Sequence, residues 1–362
     1  MMKVAILGAG IGAQHLEGYR HLPEDFQMVA LCDLDPSRGV AATGGDPSIK
    51  IVSDIDAVMA DPDIGLIDIC LPPHLHVPVA LQALAANKHV ICEKPIARSL
   101  AEIDQLEEAL SKTNARMFPV FQYRFGLGFE QVQAVLGSGL AGKPLVATAE
   151  THWNRLPSYY DIAWRGTWAG EAGGVILSHA IHAHDLISFV MGPVASLHAF
   201  TDTRVNEIET EDCASISMKM KNGALVTSSV TLGSAEDMSR FRFCFENLTI
   251  ESGLSPYTPA EDKWTFTARG ETKQEDIDAL IAQIIPPLAG FAGFLKAIAN
   301  ALEGDEGREV TFVDGRRSIE FVTAVYLSAQ EERTVTLPIT KNENLYGGWS
   351  PNLKELQKGQ IK

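Results

Sequence analysis

The sequence predicts two α/β units in series. Residues 1–122 read as a doubly wound parallel sheet, and residues 123–340 as an α+β region with an open, mostly antiparallel sheet. Three observations carry this. A glycine-rich turn joins an apolar strand to a helix at the start of the chain. Strand-like and helix-like stretches alternate up to about residue 118. Beyond residue 140, strand-like runs follow one another directly.

The first element is the apolar run Lys3-Val-Ala-Ile-Leu7. It enters Gly8-Ala-Gly10-Ile11-Gly12-Ala13, and a helix follows to about His21. A second apolar run, Phe26 to Cys32, ends on Asp33. Strand, glycine turn, helix, strand and acid form the order of a dinucleotide site. Glycines let the backbone approach a pyrophosphate, the helix N-terminus offers N–H groups, and the acid accepts from the adenosine ribose. The alternative is a tight turn before an ordinary helix. One spacing is unusual: the third small residue of the pattern falls on Ala13, and Gly12 comes one position early.

Further strand-like runs lie near 50–52, 64–71, 88–92 and 116–121, with helices over 75–87 and 100–113. Ser99-Leu-Ala-Glu102 has the form of a capping box. Alternation of this kind implies parallel pairing with right-handed crossovers, the Rossmann arrangement. The boundary is expected at 119–125. The later strands are expected at 144–152, 194–204, 213–220, 224–232, 240–246 and 248–251, with a hairpin turn at Asn222-Gly223. Helices are expected over 173–191, 284–303 and 314–331, and 341–362 reads as a poorly structured tail.

Composition narrows the partners. The net charge of -16 argues against nucleic acid and anionic membrane surfaces. No apolar run reaches 18 residues, so no membrane span is expected. Met1-Met-Lys-Val enters a strand at once, which leaves no room for a signal peptide. The five cysteines, Cys32, Cys70, Cys92, Cys213 and Cys244, are scattered without metal or disulfide spacing. A cytoplasmic protein with buried thiols and no bound metal is therefore expected.

Three constellations suit chemistry. Glu93-Lys94-Pro95 ends a buried parallel strand, and in doubly wound folds ligands bind at that edge. Lys94 there would set its ammonium against a substrate hydroxyl. The alternative is a solvated ion pair between Glu93 and Lys94. Ser178-His179-Ala-Ile-His182-Ala-His184-Asp185 lies in an apolar helical stretch. Helical periodicity puts Ser178, His179, His182 and Asp185 roughly on one face and His184 elsewhere. A histidine beside a carboxylate suits a general base. Core or capping histidines are one alternative and a metal site another. The stretch from His152 to Trp168 holds three of the five tryptophans, with Arg155, Tyr159, Tyr160, Asp161 and Arg165. Flat rings among polar groups suit a polyhydroxylated ring. Trp153, Tyr160, Trp164 and Arg165 are the candidates, and aromatic packing of a long loop is the alternative.

These residues resemble the glucose–fructose oxidoreductase / inositol dehydrogenase / rhizopine-catabolism (Gfo/Idh/MocA) family from about Lys3 to Val230. The resemblance rests on Gly8-Ala-Gly10, Asp33, Leu71-Pro72-Pro73-His74-Leu-His76, Glu93-Lys94-Pro95, Tyr123-Arg124-Phe125, and Gly173-Gly174 before His182 and Asp185. It implies that Lys94 is the catalytic lysine and His182 the catalytic histidine. It implies a cofactor, NAD with NADP possible, held by Gly8, Gly10, Ile11, Gly12, Asp33, Leu71, Pro72, His76, Glu93 and Lys94. Arg124 and Asp185 join the substrate candidates. It implies hydride transfer with a secondary alcohol or ketone of a sugar, sugar derivative or cyclic polyol. A homodimer or homotetramer built on the open sheet is also implied. Other readings are a dihydrodiol- or biliverdin-type reductase, a non-catalytic cofactor-binding regulator, and a metal hydrolase. One departure stands out. Many members carry an aspartate four residues before the histidine, and this chain has Ser178 followed by His179. Those two are therefore candidates for the proton relay.

Overall fold

The apolar runs of the first hundred residues are buried on both faces, as parallel strands covered by helices must be. In the computed structural model, which describes residues 1–351, β1 (Met2–Leu7) leads into α1 (Gly12–Arg20). There follow β2 (Phe26–Cys32), α2 (Pro36–Thr43), β3 (Lys50–Val52), α3 (Ile55–Ala60), β4 (Leu66–Ile69), α4 (Pro73–Ala85), β5 (His89–Cys92), α5 (Leu100–Leu110) and β6 (Met117–Pro119). These six strands pair in parallel in the order β3-β2-β1-β4-β5-β6. Strand order reverses between β1 and β4, so a crevice opens at their carboxyl ends. Val4 to Leu7, Leu66, Ile67, Ile69 and Val90 to Cys92 fill the sheet's interior. The expected capping box forms in a shifted version. Ser99 Oγ accepts from Glu102 N at 3.0 Å, and the Glu102 carboxylate reaches back to Arg98 N at 2.7 Å.

The second set of elements runs α6 (Leu127–Gly137), β7 (Pro144–Asn154), α7 (Trp168–Glu171), α8 (Val175–Ser178), α9 (Ile181–Met191), β8 (Val194–Asp202), β9 (Cys213–Met220), β10 (Leu225–Thr231), β11 (Gly233–Phe245), β12 (Leu248–Glu251) and β13 (Thr265–Ala268). Then come α10 (Gln274–Ile281), α11 (Gly290–Leu302), α12 (Phe312–Glu331) and β14 (Val335–Thr336). The eight-stranded sheet has the order β13-β12-β11-β7-β10-β9-β8-β14. Its pairs are antiparallel except β7 with β10. The Asn222-Gly223 turn joins β9 to β10 as expected, with Gly223 at φ +93°. Strands β9 and β10 alternate buried and exposed positions, so one face packs on helices and the other is open.

Three expectations are corrected. The helix over 173–191 is two helices, α8 and α9, broken at His179 and Ala180. The first compact unit takes in Phe291–Ile319 as well as Met1–Gln122, and the second comprises Tyr123–Gly290 with the chain from Glu320 on. The second unit is therefore not a continuous run from 123 to 340. Within the first unit, Arg116 ion-pairs with Glu306 at 2.9 Å and Glu309 at 2.6 Å, and Lys296 bonds Asp25 at 2.9 Å. The stretch read as a tail is packed at Tyr346 and Trp349. Trp349 is 1% exposed, stacks on Tyr326 and donates its indole N–H to the Ala172 carbonyl at 2.5 Å. The rest of that stretch, 352–362, lies outside the described residues. Among the described residues no single helix is long and apolar enough to cross a membrane.

Candidate active site

Four loops gather at the carboxyl edge of the six-stranded sheet. Gly8 to Ile11 follow β1, Asp33 follows β2, Leu71 and Pro72 follow β4, and Glu93 to Pro95 follow β5. Gly8 has φ +102°, and a Cβ there would stand 2.4 Å from the Cys70 carbonyl oxygen. The turn after β1 and the loop after β4 touch only because Gly8 has no side chain. Gly12 plays a different part. A Cβ on it would meet Ile6 Cγ2 at 2.7 Å, so this residue lets α1 lie close on β1. The close-packing role in the glycine pattern thus belongs to Gly12, one residue before the expected Ala13.

The turn fits a pyrophosphate. Helix α1 begins without a side-chain cap, and Gly10 and Ile11 are exposed. Among the described residues nothing accepts the N–H of Gly10 or Ile11. Unmet donors at a helix N-terminus are what a phosphate satisfies. Asp33 is buried, and its carboxylate accepts from Ala9 N at 2.8 Å and Asp35 N at 3.0 Å. Arg38 Nη1 lies 3.7 Å from the same carboxylate. The acid is therefore fixed by the turn it serves, with a half-exposed cation beside it.

His76 is buried in α4. Its ring nitrogens stand 2.6 Å from the Leu71 carbonyl and 2.7 Å from the Pro95 carbonyl. Burial lowers its pKa, and a neutral ring donates to one carbonyl at a time. The loops after β4 and β5 are tied through it. The Lys94-Pro95 peptide bond is cis. Lys94 is half-buried, and its backbone N–H donates to Glu93 Oε2 at 3.1 Å. Glu93 is buried and also pairs with His15 Nε2 at 3.1 Å.

In the second unit the histidines separate by role. His182 is buried and stacks on the Tyr123 ring at 4.5 Å and 22°. His179 sits at the helix break, so it does not continue the face on which helical spacing placed it with His182. Ser178 Oγ donates to the Gly174 carbonyl at 2.7 Å and lies 2.6 Å from His179 Nδ1. A hydroxyl that gives its proton to Gly174 accepts one from His179 Nδ1, which makes Nε2 the acceptor nitrogen of that ring. His184 contacts Ser228 Oγ at 3.0 Å and Phe321, and burial alone pushes its pKa down to about 3. It is a neutral core histidine. Asp185 binds Arg124 through two bonds, Nε to Oδ2 at 2.7 Å and Nη2 to Oδ1 at 2.5 Å. Its carboxylate thus acts on its surroundings as half of an ion pair.

The aromatic stretch also divides. Trp153 is buried, donates to Ser239 Oγ at 3.2 Å, and meets the His179 ring edge-on at 5.2 Å. Tyr159 lies 5.8 Å from the same histidine and carries Arg165 over its face at 4.0 Å. Tyr160 is half-buried and Trp164 is 38% exposed. One cluster escaped sequence reasoning. Arg155 pairs with Asp237 at 3.1 Å and donates to Tyr257 OH at 3.1 Å, and Tyr257 OH donates to Asp237. Its guanidinium also covers the Trp153 and Tyr159 rings at 5.0 and 5.2 Å. Asp237 sits where the β7–β11 register shifts, about eighty residues from its partner, and no local pattern marks it.

Comparison with known proteins agrees with this fold. Residues 2–121 match the profile described as "Oxidoreductase family, NAD-binding Rossmann fold", and residues 129–251 match the GFO/IDH/MocA C-terminal domain. The chain is 26% identical over 230 residues to the myo-inositol 2-dehydrogenase of Thermotoga maritima, covering 62% of this chain and 66% of that one. It is 32% identical over 163 residues to an inositol 2-dehydrogenase of Salmonella paratyphi B, covering 44% and 48%. The matches to the curated relatives named here span less than two thirds of those proteins' length. The crystal structure of the WlbA dehydrogenase from Bordetella pertussis, in complex with NADH and UDP-GlcNAcA, is similar at TM-score 0.81 and 25% identity. That match covers 94% of this chain and 99% of that one. A levoglucosan dehydrogenase bound to NADH and L-sorbose shares the fold at TM-score 0.78 and 20% identity, covering 93% and 99%. A strand-order switch with an uncapped glycine turn, an acid closing β2, Glu93-Lys94-Pro95 after β5, and a histidine helix in a mixed-sheet unit thus occur together, and the chain belongs to the GFO/IDH/MocA oxidoreductase family.

Proposed function

We propose that this protein is an NAD-dependent dehydrogenase acting on a secondary alcohol or ketone of a sugar, sugar derivative or cyclic polyol such as inositol. The observation that carries the reading is the placement of Lys94. It follows β5 at the carboxyl edge of the sheet, on the edge that also holds the uncapped glycine turn and Asp33. Nicotinamide, when bound, supplies the hydride acceptor or donor. Lys94 would polarise the reacting oxygen through its ammonium, and His182 would hold or accept the hydroxyl proton at an imidazole nitrogen. His179 would offer one nitrogen, and the partly exposed Trp164 a ring face, to a polyhydroxylated substrate.

The test is a panel of sugars, sugar acids and inositols with NAD and NADP, read at the NADH absorbance band, with Lys94→Ala beside the natural chain. Turnover of at least one polyol, lost by on the order of 10²-fold or more in Lys94→Ala with NAD still bound by fluorescence titration, supports the reading. No turnover of any panel member, with NAD bound, favours a regulator. A variant that keeps its activity removes Lys94 from the chemistry.

Self-association through the open sheet face belongs to the same proposal. Val146 on β7, Leu225 on β10 and Phe200 on β8 are exposed on the open face of that sheet, an apolar surface of the kind that partners cover. Light scattering at micromolar concentration checks it, and a monomer would refute it. The five cysteines are all free thiols, which supports a reducing compartment such as the cytoplasm.

A further inference from the structure

Helix α1 carries a histidine whose surroundings the proposed chemistry does not use. His15 is the fourth residue of the helix that opens on the glycine turn, and it is 0% exposed. Its Nδ1 lies 3.0 and 2.9 Å from the two oxygens of Asp68 on β4. Its Nε2 lies 3.1 Å from Glu93 Oε1 after β5. Asp68 is 0% exposed and also accepts from Tyr19 OH at 3.0 Å. The Cys70 thiol stands 3.5 Å from both His15 Nδ1 and Asp68 Oδ1. The Phe291 ring closes the remaining side at 4.4 Å.

Electrostatics fix the state of this cluster. Two carboxylates facing one ring need two N–H donors, and only the imidazolium has two. Burial works against that charge. The Asp68 carboxylate, with lesser help from Cys70, overrides it and holds the His15 pKa well above the ordinary histidine range. Burial likewise raises the Cys70 thiol, so it stays protonated. A buried carboxylate on a central strand is costly unless it is paired, and His15 supplies that pairing for Asp68 and Glu93 together. Each ligand-type atom is therefore already engaged in a hydrogen bond.

The chain of contacts runs from the glycine turn to the candidate catalytic lysine. Gly12 lets α1 approach β1, α1 carries His15, His15 holds one oxygen of Glu93, and the other oxygen of Glu93 accepts from the Lys94 backbone N–H. We propose that His15, clamped between Asp68 and Glu93, is a positioning residue that locks the Glu93-Lys94-Pro95 turn in register with the dinucleotide turn. The inference rests on the dehydrogenase reading for its activity readouts, and its first test is independent of that reading.

The first test is spectroscopic. The protein has ten histidines. In the cofactor-free protein, labelled with nitrogen-15 histidine, one ring keeps both nitrogens protonated at pH 8.5, and Asp68→Asn moves that ring's titration to lower pH. No protonated ring at pH 8.5 overturns the proposal. So does stoichiometric zinc in the purified protein, because the His15, Asp68 and Cys70 ligand atoms all lie within 4.8 Å of one another.

The second test is a double-mutant cycle. His15→Gln lowers kcat by on the order of 10-fold to 10²-fold while Kd for NAD stays within about threefold. His15→Gln with Glu93→Gln is no slower than Glu93→Gln alone, because His15 acts through Glu93. Losses that multiply make His15 a packing residue and overturn the proposal. If His15→Gln does not fold, Asp68→Asn decides. Its His15 deprotonates within the accessible range, so kcat falls on the alkaline side with a limb the natural chain lacks. An unchanged profile in Asp68→Asn refutes the positioning role. Failure of every polyol to react, with the protonated ring present, would count against the dehydrogenase reading alone.

Discussion

Arg124 and Asp185 form a two-point ion pair, Nε to Oδ2 at 2.7 Å and Nη2 to Oδ1 at 2.5 Å, with both side chains buried. Arg124 also stacks on the Phe189 ring at 4.9 Å. The pair braces α9, the helix that carries His182, against the segment that carries Tyr123. Breaking a buried pair strands a charge and costs about 3–5 kcal/mol. Asp185→Asn and Arg124→Met are each expected to lower stability by about that much in urea unfolding. The paired variant should recover part of the loss, since neither charge is then left alone. A loss under about 1 kcal/mol in the singles would show that the pair is dispensable.

Glu211 gives a pH-dependent term. Its carboxylate accepts from Gly174 N and Ile176 N at 3.1 Å each and from Tyr326 OH at 2.9 Å, and so caps α8. Burial nonetheless raises its pKa to about 7, against about 4.3 unfolded. The folded state thus binds this proton more tightly. The contribution is fully present below the unfolded pKa and is lost as pH rises through the folded one. Stability attributable to Glu211 should fall by on the order of 3 kcal/mol between about pH 4 and pH 8. Glu211→Gln should flatten that slope in denaturant titrations. An identical slope in the variant would assign the dependence to other groups.

Much of this molecule was legible because its information is local. The first unit's strands, its glycine turn, Asp33 closing β2 and the capping box at Ser99 are patterns within a few residues of each other. What escaped depends on contacts across tens to hundreds of residues. Phe291–Ile319 reads as helical, yet nothing in it says that it joins the first unit. Trp349 looks like part of a tail, because its partner Ala172 lies far upstream. His15 reads as one polar residue on a helix until β4 brings Asp68 beneath it. The break between α8 and α9 is invisible to periodicity. The stretch is apolar throughout, and Glu211 sets the N-terminus of α8 from outside.

Cofactor preference should follow Asp33. A 2′-phosphate would meet its carboxylate, so kcat/KM for NAD is expected to exceed that for NADP. Arg38, 3.7 Å from Asp33 and half-exposed, supplies the cation that a relaxed variant needs. Asp33→Ser should therefore narrow or reverse the ratio. It should also lose stability, because Ala9 N and Asp35 N lose their acceptor. A clear NADP preference in the natural chain would contradict the assignment.

Two of the three tryptophans in the aromatic stretch should behave differently. Trp153 is 5% exposed and bonded to Ser239, so Trp153→Ala should cost about 3–5 kcal/mol of stability. Trp164 is 38% exposed, and Trp164→Ala should leave the melting temperature nearly unchanged while raising substrate KM. Unchanged KM in Trp164→Ala would exclude it from the substrate wall.

The proton acceptor is the last point at issue. His182 as general base must be neutral to accept, so kcat/KM for alcohol oxidation should rise with pH as its imidazole loses a proton. His182→Asn keeps the approximate size and cannot accept the proton. It should depress kcat by on the order of 10² or more and flatten the pH profile. His179 supplies the contrast. Ser178 occupies its Nδ1 side, which presents Nε2 as an acceptor in a ring set against Trp153 and Tyr159. If His179 relays the proton, His179→Asn should cost as much kcat as His182→Asn. Ser178→Ala, which unfixes the tautomer, should then cost a smaller part of it. If His179 only lines the substrate wall, His179→Asn should raise KM and leave the pH profile where it was. A pH profile that survives in His182→Asn and disappears in His179→Asn would move the base from α9 to the helix break.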